Sequence, residues 1–99
     1  MERKLALRVD DLDNVATIFF NDCKDGQEVE VSDKKGNIDK IMVSGGDVPF
    51  GHKIAVKDIK KGEKIMKYGE CIGAALNDIK RGEYVHVHNL EALRGRGDK

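Results

Sequence analysis

The sequence predicts a mostly-β fold of short strands and tight turns, with at most one short helix. Three observations carry that expectation. Apolar residues recur in alternation rather than at helical spacing. Polar, glycine-containing turns interrupt the chain at short intervals. One turn-into-strand octapeptide also occurs more than once.

The elements follow in order. Leu5, Leu7 and Val9 fall on one face of a first strand. Residues 15–20 form a short apolar run with β-branched and aromatic members, as expected of a strand buried on both faces. Residues 28–32 alternate cleanly, Asp33-Lys34-Lys35-Gly36-Asn37 supplies a polar turn, and residues 38–43 alternate again, which predicts a hairpin. Beyond Gly45-Gly46, short strands are expected at 53–56, 64–67 and 84–88, with a single short helix near 74–79. The octapeptide Asp58-Ile59-Lys60-Lys61-Gly62-Glu63-Lys64-Ile65 recurs as Asp78-Ile79-Lys80-Arg81-Gly82-Glu83-Tyr84-Val85. A weaker copy is Asp22-Cys23-Lys24-Asp25-Gly26-Gln27-Glu28-Val29. Each copy has an apolar anchor, a polar turn with glycine, and a strand start. Its irregular spacing makes it a corner device rather than a solenoid repeat.

Composition bounds the function. Ninety-nine residues make one domain, expected over 1–92 with a flexible, Gly-rich, charged tail at 93–99. A chain of that size buries roughly 60–65% of its unfolded surface. It has too few walls to enclose a large active site alone. The 18 Lys+Arg and 18 Asp+Glu cancel, which argues against nucleic acid or an anionic membrane as partner. No apolar run reaches the roughly 18 residues of a membrane span, and the first residues lack a signal-peptide core. A cytoplasmic location is expected. Cys23 and Cys71 form no C-x-x-C and read as free thiols.

Chemistry-bearing residues are few. The three histidines are His52, His86 and His88. On a strand, His86 and His88 would lie side by side about 6.5–7 Å apart with Tyr84, while Val85 and Val87 face the other way. Two such imidazoles can ligate one divalent metal, or one can move protons while the other orients substrate. They can equally be two exposed histidines on a solvated face. His52 follows Pro49-Phe50-Gly51, a constrained bend that presents a side chain well. The lysines at 53, 57, 60, 61, 64 and 67 can form a positive patch for a carboxylate, or simply a solvated face. Neither a P-loop nor a G-x-G-x-x-G is present, and no serine or cysteine has the surroundings of an activated nucleophile.

Several motifs occur in a fixed order: Pro49-Phe50-Gly51-His52-Lys53-Ile54-Ala55, the two octapeptides at 58 and 78, Lys67-Tyr68-Gly69, Ile72-Gly73, and Tyr84-Val85-His86-Val87-His88-Asn89. Together they resemble the N-terminal domain of altronate and galactarate dehydratases, and also the small subunit of sulfolactate sulfo-lyase. Both belong to the SAF group, whose fold is the β-clip. One departure is Cys71, where the family usually has proline. The resemblance implies the small subunit of a sugar-acid dehydratase whose large catalytic subunit is a separate chain. It implies a divalent metal shared with that subunit, Fe2+ or alternatively Mn2+. His52, His86 and His88 would be catalytic, either as acid and base groups or, for His86 and His88 above all, as metal ligands. Lys53, Tyr84 and Asn89 would contact the sugar acid. A sulfo-lyase subunit and a non-catalytic substrate-binding or capping module are the alternatives, and homo-oligomerisation of the isolated chain is left open.

Overall fold

The computed structural model describes residues 4–92, and the expected tail at 93–99 lies outside them. Nine strands occur among the described residues: β1 (Leu5–Leu7), β2 (Val15–Ile18), β3 (Glu28–Ser32), β4 (Ile38–Met42), β5 (Lys53–Ala55), β6 (Lys64–Lys67), β7 (Glu70–Ala75), β8 (Tyr84–Val85) and β9 (Leu90–Ala92). Six form one sheet in the order β4-β3-β1-β2-β5-β8, and β6-β7-β9 form a second. The six-stranded sheet curls towards closure. Ser44, just after β4, bridges in parallel to Glu83 beside β8. The bond from the Tyr84 N–H to the Ser44 carbonyl, 2.9 Å, belongs to that seam. The fold is therefore mostly β, and no described helix is long and apolar enough to cross a membrane.

Residues 28–42 form the expected hairpin, with Val29 opposite Ile41 and Val31 opposite Asp39. Its turn is held by the Asp33 carboxylate, which accepts the N–H groups of Lys35 and Asn37 at 2.9 Å. All four residues of β2 are buried. In β1, Leu5 and Leu7 share one half-covered face as expected, and Ala6 on the other face is buried. The parallel neighbour β3 and antiparallel neighbour β2 clamp Ala6 opposite Val31 and Ile18. The helix expected near 74–79 is absent. Ala74 and Ala75 end β7, and Ile79 forms an antiparallel bridge with Ile59. Pairing and burial override the helical preference of a short alanine-leucine stretch there.

The repeated turn organises the molecule, and it occurs four times rather than three. Asp47-Val48-Pro49-Phe50-Gly51-His52-Lys53-Ile54 is the additional copy. The four glycines, Gly26, Gly51, Gly62 and Gly82, share φ between 85° and 92°, a left-handed geometry suited to glycine. Each donates its N–H to a backbone carbonyl in or next to a neighbouring strand, those of Val43, Ile18, Ala75 and Ala55 respectively. The four apolar anchors, Cys23, Val48, Ile59 and Ile79, are each 1% exposed. They meet in pairs, Cys23 with Val48 and Ile59 with Ile79. The first pair packs with Ile18, Val29, Ile41 and Ile54, the second with Val15, Ile65, Val85 and Leu90. Two small cores result, each nucleated by a pair of like turns. Cys23 and Cys71 are free thiols.

Candidate functional site

Three of the expected residues converge where β5 and β8 pair. Ile54 lies opposite Tyr84, and residues two apart on a strand share a face. His52, at the entry to β5, is thereby brought to Tyr84 across the sheet. Its Nδ1 lies 2.7 Å from the Tyr84 hydroxyl. The ring of His86 lies 4.6 Å from that of His52 and stacks on Tyr84 at 5.8 Å, with 12° between the planes. His88 tilts against Tyr84 at 5.4 Å. The result is a half-buried group of two imidazoles and a phenol with an exposed third imidazole at its rim.

The way His86 and His88 are presented differs from expectation. Strand β8 ends at Val85, and residues 86–89 form a turn. The cause is Asn89. Its side-chain carbonyl accepts the His86 N–H at 2.9 Å, and its amide donates to the Tyr84 carbonyl at 2.9 Å. Its own N–H bonds the His86 carbonyl at 3.0 Å. Asparagine offers the backbone these local partners in place of a strand ladder. The side chain beside His86 is accordingly His52 rather than His88, and the H-x-H strand pair is not formed. Asn89 itself is 1% exposed, and both ends of its amide are bonded within the chain.

Electrostatics bear on His86, Tyr84 and Lys53. Burial, then the positive charges of His52, Lys53 and His88, hold His86 below the ordinary histidine range. Burial raises the Tyr84 phenol, which therefore stays protonated at neutral pH. Of the six lysines in the expected patch, Lys57, Lys60, Lys61 and Lys64 are exposed, whereas Lys53 and Lys67 are half-buried. Burial followed by the charge of Lys67 pulls Lys53 below its ordinary value.

The sequence marks Lys67 only as one of that patch, and the device that places it leaves no local signal. Asp13, 2% exposed, accepts the N–H groups of Tyr68 at 2.9 Å and Gly69 at 2.8 Å, 55 and 56 residues away in sequence. This buried carboxylate pins the β6–β7 turn. Cys71 stands just beyond that turn, its thiol 3.3 Å from the Gly73 carbonyl.

Among the described residues no three His, Cys, Asp or Glu side chains gather as a metal cluster. A tightly held divalent ion wants three or more protein ligands. The donors here number two adjacent imidazoles, and the Nδ1 of one already bonds Tyr84. The chain's own residues do not fit a complete metal centre.

The curled, mostly-β fold of the described residues agrees with that of a SAF domain. The altronate/galactarate dehydratase SAF domain model matches residues 4–93, and the chain belongs to that family. Among curated proteins, it is 41% identical over 83 residues to altronate dehydratase of Escherichia coli (strain K12), covering 84% of this chain and 15% of that enzyme. It is 40% identical over 58 residues to (2R)-sulfolactate sulfo-lyase subunit alpha of Paracoccus pantotrophus, covering 59% of this chain and 87% of that subunit. It is 37% identical over 79 residues to galactarate dehydratase (L-threo-forming) of E. coli, covering 80% of this chain and 14% of that enzyme. The chain thus spans a small fraction of the dehydratases and most of the sulfo-lyase subunit. The relatives are lyases, and the name of one declares it a subunit of a larger enzyme.

Proposed function

We propose that this chain is the small subunit of a cytoplasmic sugar-acid dehydratase, contributing proton-transfer groups to an active site completed by a large subunit. The observation that carries the reading is the pairing of His52 with His86 at 4.6 Å on Tyr84. These are two imidazoles held together on an open face of a lyase-family domain.

Elimination of water from a hydroxy carboxylate needs a base for the proton α to the carboxylate and an acid for the departing β-hydroxyl. His86, held neutral by burial and neighbouring positive charge, is given the role of base. Tyr84 keeps its proton and pairs with Nδ1 of His52 at 2.7 Å, and His52 is given the role of acid. The Cα–H bond breaks as His86 takes the proton. The electron pair forms the Cα–Cβ double bond and expels the hydroxyl, protonated by His52, as water. The resulting enol becomes a 2-oxo-3-deoxy acid.

Lys53, with Lys67 beside it, supplies positive charge for the substrate carboxylate. Asn89 orients His86 through the turn rather than touching substrate, and His88 lines the rim. The divalent cation expected from the family resemblance takes most of its ligands from the large subunit in this proposal.

The sulfo-lyase alternative rests on a specific observation, the 87% coverage of subunit alpha. The same acid-base pair serves an elimination that expels sulfite. The test is to co-purify the chain with its large partner and offer the complex altronate, galactarate and sulfolactate in turn. Formation of a 2-oxo-3-deoxy acid from a sugar acid supports the proposal. Sulfite release from sulfolactate alone establishes the alternative, and a complex active without this chain reduces it to a capping module.

A further inference from the structure

We infer that Pro49 is a positioning residue that frees His52 from a structural duty borne by its counterparts in the other three turns. In each copy the residue after the glycine donates its N–H back three positions: Gln27 to Lys24 at 3.0 Å, His52 to Pro49 at 3.0 Å, Glu63 to Lys60 at 2.9 Å and Glu83 to Lys80 at 2.9 Å. The backbones are equivalent, and the side chains are not. Gln27 folds back to accept the Lys24 N–H at 3.0 Å, Glu63 the Lys60 N–H at 2.5 Å and Glu83 the Lys80 N–H at 2.9 Å. Each long acceptor side chain is tied to the start of its own turn.

The fourth copy has proline at that first position, and proline has no N–H to offer. An acceptor at position 52 would find nothing to bind there. His52 instead reaches outward to the Tyr84 hydroxyl at 2.7 Å and lies 4.6 Å from His86. A structural turn is converted into a site-bearing one by two matched changes: removal of the donor at 49 and replacement of its acceptor at 52. The inference does not depend on which elimination the face serves.

The test is a double-mutant cycle in the full 99-residue chain, combining Pro49→Ala with His52→Gln, the neutral acceptor found at Gln27. Glutamine at 52 has a donor to cap only when alanine at 49 restores the N–H. His52→Gln should therefore reduce the folding equilibrium constant markedly when Pro49 is present and far less in the Pro49→Ala background. The expected coupling is about fivefold, the worth of one net hydrogen bond. In Pro49→Ala alone, the new N–H competes for Nδ1, and the His52 ring 15N signals should move away from those of the Tyr84-bonded state. Effects that add to within about a factor of two, with unchanged His52 ring signals in Pro49→Ala, overturn the inference.

Discussion

Replacing Asn89 with alanine isolates the residue on which the presentation of His86 depends. Asn89 is 1% exposed, and its side chain satisfies the His86 N–H and the Tyr84 carbonyl, each at 2.9 Å. Alanine leaves both backbone groups without that partner. A buried polar group left unsatisfied costs about 1–3 kcal/mol. The turn can open and admit water to one of the two, so a loss of roughly 2–4 kcal/mol is expected. For a chain of this size each kcal/mol moves Tm by about 4–8 °C, so the transition should fall by roughly 8–32 °C on that scale. Urea unfolding followed by circular dichroism reads the energy, and amide hydrogen exchange at His86 reads the bond. Asn89→Asp keeps the acceptor for His86 but sets a carboxylate against the Tyr84 carbonyl, and should restore His86 protection without restoring full stability. A loss under about 0.5 kcal/mol, the level of an inconsequential surface change, with His86 still protected, would refute the reasoning.

Three further outcomes are expected. Tyr84→Phe should cost about 0.5–1.5 kcal/mol, one net hydrogen bond, and shift the His52 ring 15N signals; unchanged signals would contradict the His52–Tyr84 hydrogen bond. Because His86 is harder to protonate in the folded chain, the unfolded chain binds more protons around its ordinary value near 6.5. Stability should then fall as pH drops through that value and level off below the folded pKa, a limb that His86→Gln flattens; superimposable pH profiles would argue against it. Lys53→Met should raise the Tm of the isolated chain at neutral pH, since the folded state disfavours that charge through burial and Lys67, while weakening sugar-acid binding by the assembled enzyme; a lower Tm would count against a half-buried ammonium that the fold disfavours.

The sequence made the hairpin legible because its pattern and turn chemistry are local: alternation on both sides of Asp33-Lys34-Lys35-Gly36-Asn37 leaves one register open. The three imidazoles were legible as candidates, but their arrangement was not. An H-x-H string looks like a strand face until Asn89 supplies turn bonds that compete with the ladder. The helix expected near 74–79 fails for a long-range reason, since Ile79 is fixed by Ile59 in the partner turn. The fourth turn copy is hidden because Pro49, Phe50 and His52 replace the residues by which the other copies are recognised. Only its backbone, with Gly51 at φ 85°, reveals the kinship. Asp13 and the Tyr68-Gly69 amides meet only in the folded chain.

The central claim is that the His52–His86 pair performs proton transfer in an active site shared with a large subunit. Its most direct measurement is kcat of the assembled enzyme carrying His86→Ala, alongside the fraction of small subunit retained in the complex. The account predicts a fall in kcat of roughly 10²–10⁴-fold, the usual worth of a positioned acid or base, with the complex intact. Turnover within about threefold of the unmodified enzyme, a change of well under about 1 kcal/mol in the barrier, would contradict it.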